Sequence, residues 1–144
     1  MKPAVLIAAA LLMTATATSQ EASYFSGYAS HQQANLDQAV TRYLGCLGSE
    51  NEGVVESGLA HLGRMKLYYL DRPFPEAEQA LTALLTTGRT PEIRYRAYLV
   101  ETLFASPSAF RTEASAEYRT PDELFTAIAA RLQQTMLGSV ASGK

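Results

Sequence analysis

From Leu36 to Met136 the apolar residues of this chain return at intervals of three and four, and no apolar/polar alternation that would mark a strand survives over four or more residues. The first pattern lines one face of an α-helix; the second is what a half-buried strand needs. The chain is therefore expected to be all-α, and prolines and glycines cut it into segments. Asn35 opens a first helix whose Leu36, Ala39, Val40, Tyr43, Leu44 and Leu47 share a face before Gly48. Ser49-Glu50-Asn51-Glu52 has the spacing at which a cap side chain and the third helical residue satisfy each other's backbone donors, which predicts a second helix over about 50–69. The prolines of Asp71-Arg72-Pro73-Phe74-Pro75 break it. Pro75 then starts a third helix with Ala77, Ala80, Leu81, Leu84 and Leu85 inward, stopped at Gly88. Thr90-Pro91-Glu92 starts a fourth that runs to Ser106-Pro107, and its wide apolar face marks it as the central helix. Residues 107–119 are read as a short irregular helix anchored by Phe110 and Tyr118. Thr120-Pro121-Asp122-Glu123 starts the last, with Leu124, Phe125, Ile128, Leu132 and Met136 inward, Gly138 as its end and residues 139–144 as a frayed tail.

The second helix carries Gly53, Gly58 and Gly63, each costing about 1 kcal/mol relative to alanine in a helix interior. Either the stretch is partly loop, or close packing around Gly58 and Ala60 offsets the cost.

Ahead of the helices, MKPAVLIAAALLMTATATSQ has one positive charge at Lys2, an apolar run from Pro3 to Met13 and then small and hydroxylated residues, the three-part form of a secretory signal. Eleven apolar residues rise about 16 Å as a helix, roughly half a hydrocarbon core, so the segment is too short to stay as an anchor. Ala15 and Ala17 suit a cut after residue 17, with one as late as 20 still open. Export to the periplasm or the medium is expected, with no membrane-spanning segment in the mature chain. Loss of Lys2 leaves 11 basic against 14 acidic residues, a charge of −3. Residues 18–34 read as a flexible lead-in, and residues 35–138 as one domain, since 144 residues allow only one core of ordinary size.

Laid on the fourth helix with an offset of 39, the second puts Val54 on Ile93, Gly58 on Ala97, His61 on Val100 and Met65 on Phe104. The preceding helices recur at about 40, so a helix–turn–helix unit is repeated. Val54-Val55-x-x-Gly58-Leu59-Ala60-x-Leu62-Gly63-x-Met65 resembles the second helix of a HEAT-like repeat, and Ile93-Arg94-x-x-Ala97 keeps the opening of that pattern. The resemblance covers about residues 36–104 and implies a short stack of antiparallel helical hairpins, an α-solenoid that works by protein–protein interaction. An ordinary small helical bundle is the alternative.

Composition gives no basic footprint for nucleic acid: 12 Lys and Arg face 14 Asp and Glu. His31 and His61 cannot form a metal-binding pair at four-residue spacing, and neither a Gly-rich phosphate loop nor a nucleophile elbow occurs. Cys46, the only cysteine, is read as free, buried as a small hydrophobe, or paired between chains. No cofactor and no catalytic or metal-binding residue is assigned, although a small exported enzyme or metal-binding bundle built on Cys46, His61 and acids stays open. Arg64, Tyr68 and Tyr69 on the second helix and Arg94, Tyr95, Arg96 and Tyr98 on the fourth supply the residue types that dominate interface hot spots. Side-by-side second helices would present them as one ridge to a protein or peptide. Self-association as a structural protein is the other expectation.

Overall fold

Two turns, each closed by a side chain from the residue before a helix, set the frame of the fold. Asn51 Oδ1 accepts from Gly53 N at 2.9 Å to start one helix, and Thr90 Oγ1 accepts from Ile93 N at 3.3 Å to start another. The computed structural model describes residues 24–25 and 33–141. Residues 1–17, read above as a secretory signal, most of the segment 18–34 and the last three residues lie outside them. The helices are α1 (Gln33–Leu47), α2 (Glu52–Tyr68), α3 (Pro75–Thr87), α4 (Pro91–Ala105), α5 (Arg111–Ala114) and α6 (Pro121–Ala141), with a 3-10 turn at Pro107–Phe110 before α5. No strand occurs among the described residues; the protein is all-α.

α1 pairs with α2 and α3 with α4 across short connections, which makes the partners antiparallel, and α2 then lies along α4 while α1 touches α3. The starts of α2 and α4 are 39 residues apart, the offset read from the sequence. The two turns that precede them are tied to each other, Arg89 Nη1 donating to the Glu50 carbonyl at 2.9 Å. α6 does not continue the row as a third hairpin would. It lies against both α2 and α4, and the 3-10 turn and α5 close over α2 as well. The face that the second helices share is thus covered by the chain itself.

The core follows from that geometry. Leu59, Ala60, Leu62 and Met65 of α2 meet Ala97, Val100 and Leu103 of α4, with Leu124 and Ile128 of α6 closing the third side. Each Leu, Ile, Val or Met side chain among them contributes about 1.5–3 kcal/mol by leaving water. α2 buries ten of its residues against six in α4, so the central helix is α2 rather than α4. The reason is that α2 packs against α1, α4, α5 and α6, whereas α4 packs against α2, α3 and α6.

Several boundaries differ from the sequence reading. Asn51, not Ser49, caps α2; Ser49 Oγ instead accepts from Asn51 N at 3.1 Å and shapes the turn ahead of it. Thr120 does cap α6, accepting from Glu123 N at 3.2 Å, while the Glu123 carboxylate reaches one residue further back, to Arg119 N at 2.7 Å. α6 passes through Gly138 and takes in Ser139–Ala141, because an exposed glycine in a last turn weakens a helix without ending it. Of the lead-in, Tyr24 and Phe25 form a turn on α1 and α2: Phe25 is buried, and the Tyr24 hydroxyl donates to Ser57 Oγ at 2.7 Å.

Candidate protein interface

The seven residues expected to form one ridge divide by type: the arginines turn inward and most of the tyrosines face water. Arg64 is only 6% exposed. Its guanidinium lies over the Tyr68 ring at 4.6 Å and the Tyr118 ring at 5.2 Å, and its Nε and Nη1 find no hydrogen-bond partner among the described residues. Arg94 is half-buried and donates from Nη1 to the Gly88 carbonyl at 2.7 Å, sealing the α3–α4 turn. Arg96 pairs with Glu56 of α2 and, at 3.0 Å, with Asp122 of α6, its guanidinium 5.2 Å above the Phe125 ring. It joins three helices. Although Glu92 stands one turn away on the same helix, Arg96 points across the α2–α6 junction to these two acids.

Tyr68, Tyr95 and Tyr98 are exposed, and Tyr69 is half-buried beside Tyr68. They do not form one surface. Tyr68 ends α2 next to Arg64, whereas Tyr95 and Tyr98 stand in the first half of α4; at an offset of 39 Tyr68 falls level with Pro107, beyond the end of α4.

The concavity on this side of the molecule runs between α4 and α6, with a volume of about 430 Å³. Tyr95, Leu99, Phe125 and Ala129 line it together with the charged Glu92, Arg96 and Asp122. Tyr95, 53% exposed, and Arg96 are the two members of the expected ridge that line this groove. The α6 side was not foreseen. Met136, inward by its spacing, is 55% exposed, and Leu137 and Val140 beyond it are more so. The signal was present in the sequence: Met136, Leu137 and Val140 step away from the Leu124–Ile128 line at 100° per residue, so one helix carries two apolar faces.

Two further titratable groups are buried elsewhere in the fold. Lys66, 3% exposed, donates from Nζ to the Arg72 carbonyl at 2.7 Å and lies over the rings of Phe74 and Phe104. Burial lowers its pKa, against the raising influence of Glu78 and Asp71. The Tyr118 hydroxyl donates to the Glu113 carbonyl at 3.1 Å; burial and then the Glu113 charge raise its pKa, while Arg64 opposes them.

His61 sits away from the groove, its ring stacked against Tyr43 on one side and Tyr24 on the other, with Phe25 edge-on at 5.4 Å. Cys46 faces Gly58 instead, so the thiol and the imidazole considered together in the sequence have different neighbours. Burial lowers the His61 pKa below 6.5. The unfolded chain then takes up a proton near pH 6.5 that the folded chain accepts only at lower pH, and stability falls as pH drops through that window. Urea unfolding at pH 7 and pH 5 should show wild type losing more stability than His61→Phe. Equal losses would mean that the stacked ring does not resist protonation.

Among the described residues no group of three or more His, Cys, Asp and Glu side chains is placed to hold a metal ion, and no helix is long and apolar enough to cross a membrane. No family model matches the sequence, and comparison with curated proteins and with solved structures yields no match.

Proposed function

We propose that this chain is an exported, non-catalytic protein whose two hairpins are HEAT-like repeats, and that it acts by binding protein through the face formed by α4 and α6. The observation that carries the reading is the α4–α6 groove, a concavity of mixed apolar and charged lining with Tyr95 half-exposed at its wall and an uncovered apolar run of α6 beside it. Apolar pockets of about 300–1,000 Å³ with an amphipathic aromatic at the edge are the usual seats of a binding partner. The 39-residue recurrence of α2 and α4 supports the repeat relationship, and the three-part N-terminal segment supports export.

The test is mild crosslinking of the protein in its own cells, followed by mass spectrometry of what is captured and of the protein's own N-terminus. The reading expects a chain beginning between residues 18 and 21 and a stoichiometric crosslinked species. Tyr95→Ala should weaken that complex about 30-fold, the effect of losing about 2 kcal/mol from an interface tyrosine. A chain retaining Met1 inside the cell would overturn export. A complex indifferent to Tyr95→Ala would move the binding face elsewhere.

A further inference from the structure

Leu132 is the last apolar residue of α6 packed against the core, yet the helix continues for nine residues to Ala141, a projection of about 14 Å. Water-facing helices normally carry charge on the open side. Here no residue from Leu132 to Ala141 is charged, and Met136, Leu137 and Val140 are 55%, 71% and 79% exposed. At 100° per residue these three centre within about 30° of the line through Phe125, Ala129 and Gln133, which belong to the groove. Groove and projecting side chains therefore lie on one face of one helix, the hollow toward its N-terminal end and the knobs toward its C-terminal end.

A face built this way is complementary to itself. Turn a second copy end for end about an axis at Gln133, near the middle of the strip. Leu137 and Val140 of each copy then lie over the groove lined by Tyr95, Leu99 and Phe125 of the other. Each contact occurs twice, as a two-fold interface demands. Charge agrees with the match. The uncharged end of one α6 brings no charge into the other groove, where Arg96 is already paired with Glu56 and Asp122. An acidic partner helix would meet Glu92 and Asp122 there. We infer that the occupant of the α4–α6 face is a second copy of this chain, with the two α6 helices antiparallel. The inference rests on the α4–α6 face being the binding face, and it names the partner.

The strip from Asp122 to Val140 is about 27 Å long and two helices wide over its groove half, so each copy contributes about 400 Å². That is the low end of specific interfaces, which fits a dimer in exchange with monomer and not an obligate one.

Sedimentation equilibrium of the protein as purified from its own cells, from about 1 μM to 1 mM, should show mass rising from one chain to two. The double variant Leu137→Asp, Val140→Asp should stay monomeric, its self-association at least about 100-fold weaker, with unchanged helix content because both residues are outside the core. In a Cys46→Ala background, Gln133→Cys should crosslink two chains on oxidation, and Gln79→Cys on the exposed side of α3 should not. Monomer at every concentration, or equal crosslinking at both positions, would overturn the inference. The two readings fail differently. If the protein is monomeric but its crosslinked partner in cells is lost with the double variant, the α4–α6 face binds something else and only the second copy is wrong. If the double variant alters neither measurement, the face itself is wrong.

Discussion

Gly58→Ala should lower the thermal midpoint of this protein, and Gly63→Ala, five residues along the same helix, should raise it. A Cβ at Gly58 would stand 2.8 Å from the Cβ of Cys46, 3.0 Å from the Tyr43 carbonyl oxygen and 3.2 Å from Leu47 Cδ2. The first two belong to α1 and neither is the flexible end of a side chain, so α1 and α2 would have to separate. Overpacking of this kind costs about 1–3 kcal/mol, and alanine's helix propensity returns about 1. At Gly63 the same Cβ would meet Val100, Leu124 and Ile128 at 3.5–3.9 Å, ordinary contact distances, so the propensity gain stands nearly alone. Gly58→Leu should cost about 3 kcal/mol or more, since the longer side chain has no room to turn. Calorimetry on the three variants decides the matter. Shifts of the same sign for the two alanine variants would mean that α1 and α2 do not meet closely at Gly58.

Arg64→Met should stabilise the protein by about 1–2 kcal/mol. The guanidinium is buried with two nitrogens unbonded, and each unsatisfied buried donor costs about 1–3 kcal/mol. Its stacking on Tyr68 and Tyr118 offsets about 0.5–2 kcal/mol of this. Methionine keeps an unbranched chain between the two rings, removes the charge and leaves no donor to satisfy. Arg64→Ala should destabilise, because it leaves a hole between the same rings. Urea unfolding at neutral pH separates these outcomes: a loss of stability in the methionine variant would show that the charge interacts favourably with its surroundings, Tyr118 included.

The all-α architecture was readable because helical spacing and terminators act locally. Pro75, Thr90-Pro91 and Thr120-Pro121 fix helix starts through bonds within four residues, and those starts agree with the structure. Gly58 was readable for a related reason: three glycines in one helix demand an offsetting contact, and one of them has it. The placement of α6 was not legible. Whether a last helix extends a row of hairpins or folds across two of them depends on contacts more than 60 residues apart, and the spacing within α6 is the same in both cases. The same blindness affected the candidate interface. Arg96 has an acid at four-residue spacing in Glu92, but Glu56 and Asp122 reach it from other helices. Composition names arginine and tyrosine as interface residues without telling an arginine that joins helices from one that faces water. Only the uncharged end of α6 was open to a closer reading, from a second apolar line running beside the first.

The position of α6 across both hairpins also bears on the order in which the chain folds. Each hairpin closes over a few residues, so α1 with α2 and α3 with α4 can form from neighbouring contacts at small entropic cost. α6 reaches Gly63 on α2 through Leu124, 61 positions away, and can dock only once the hairpins have lined up to receive it. Until then the inner surfaces of α2 and α4, which carry much of the core, stay wet. The last step of folding is thus also the one that removes the most vulnerable surface from water, and the helix performing it is the one that carries the uncovered apolar end.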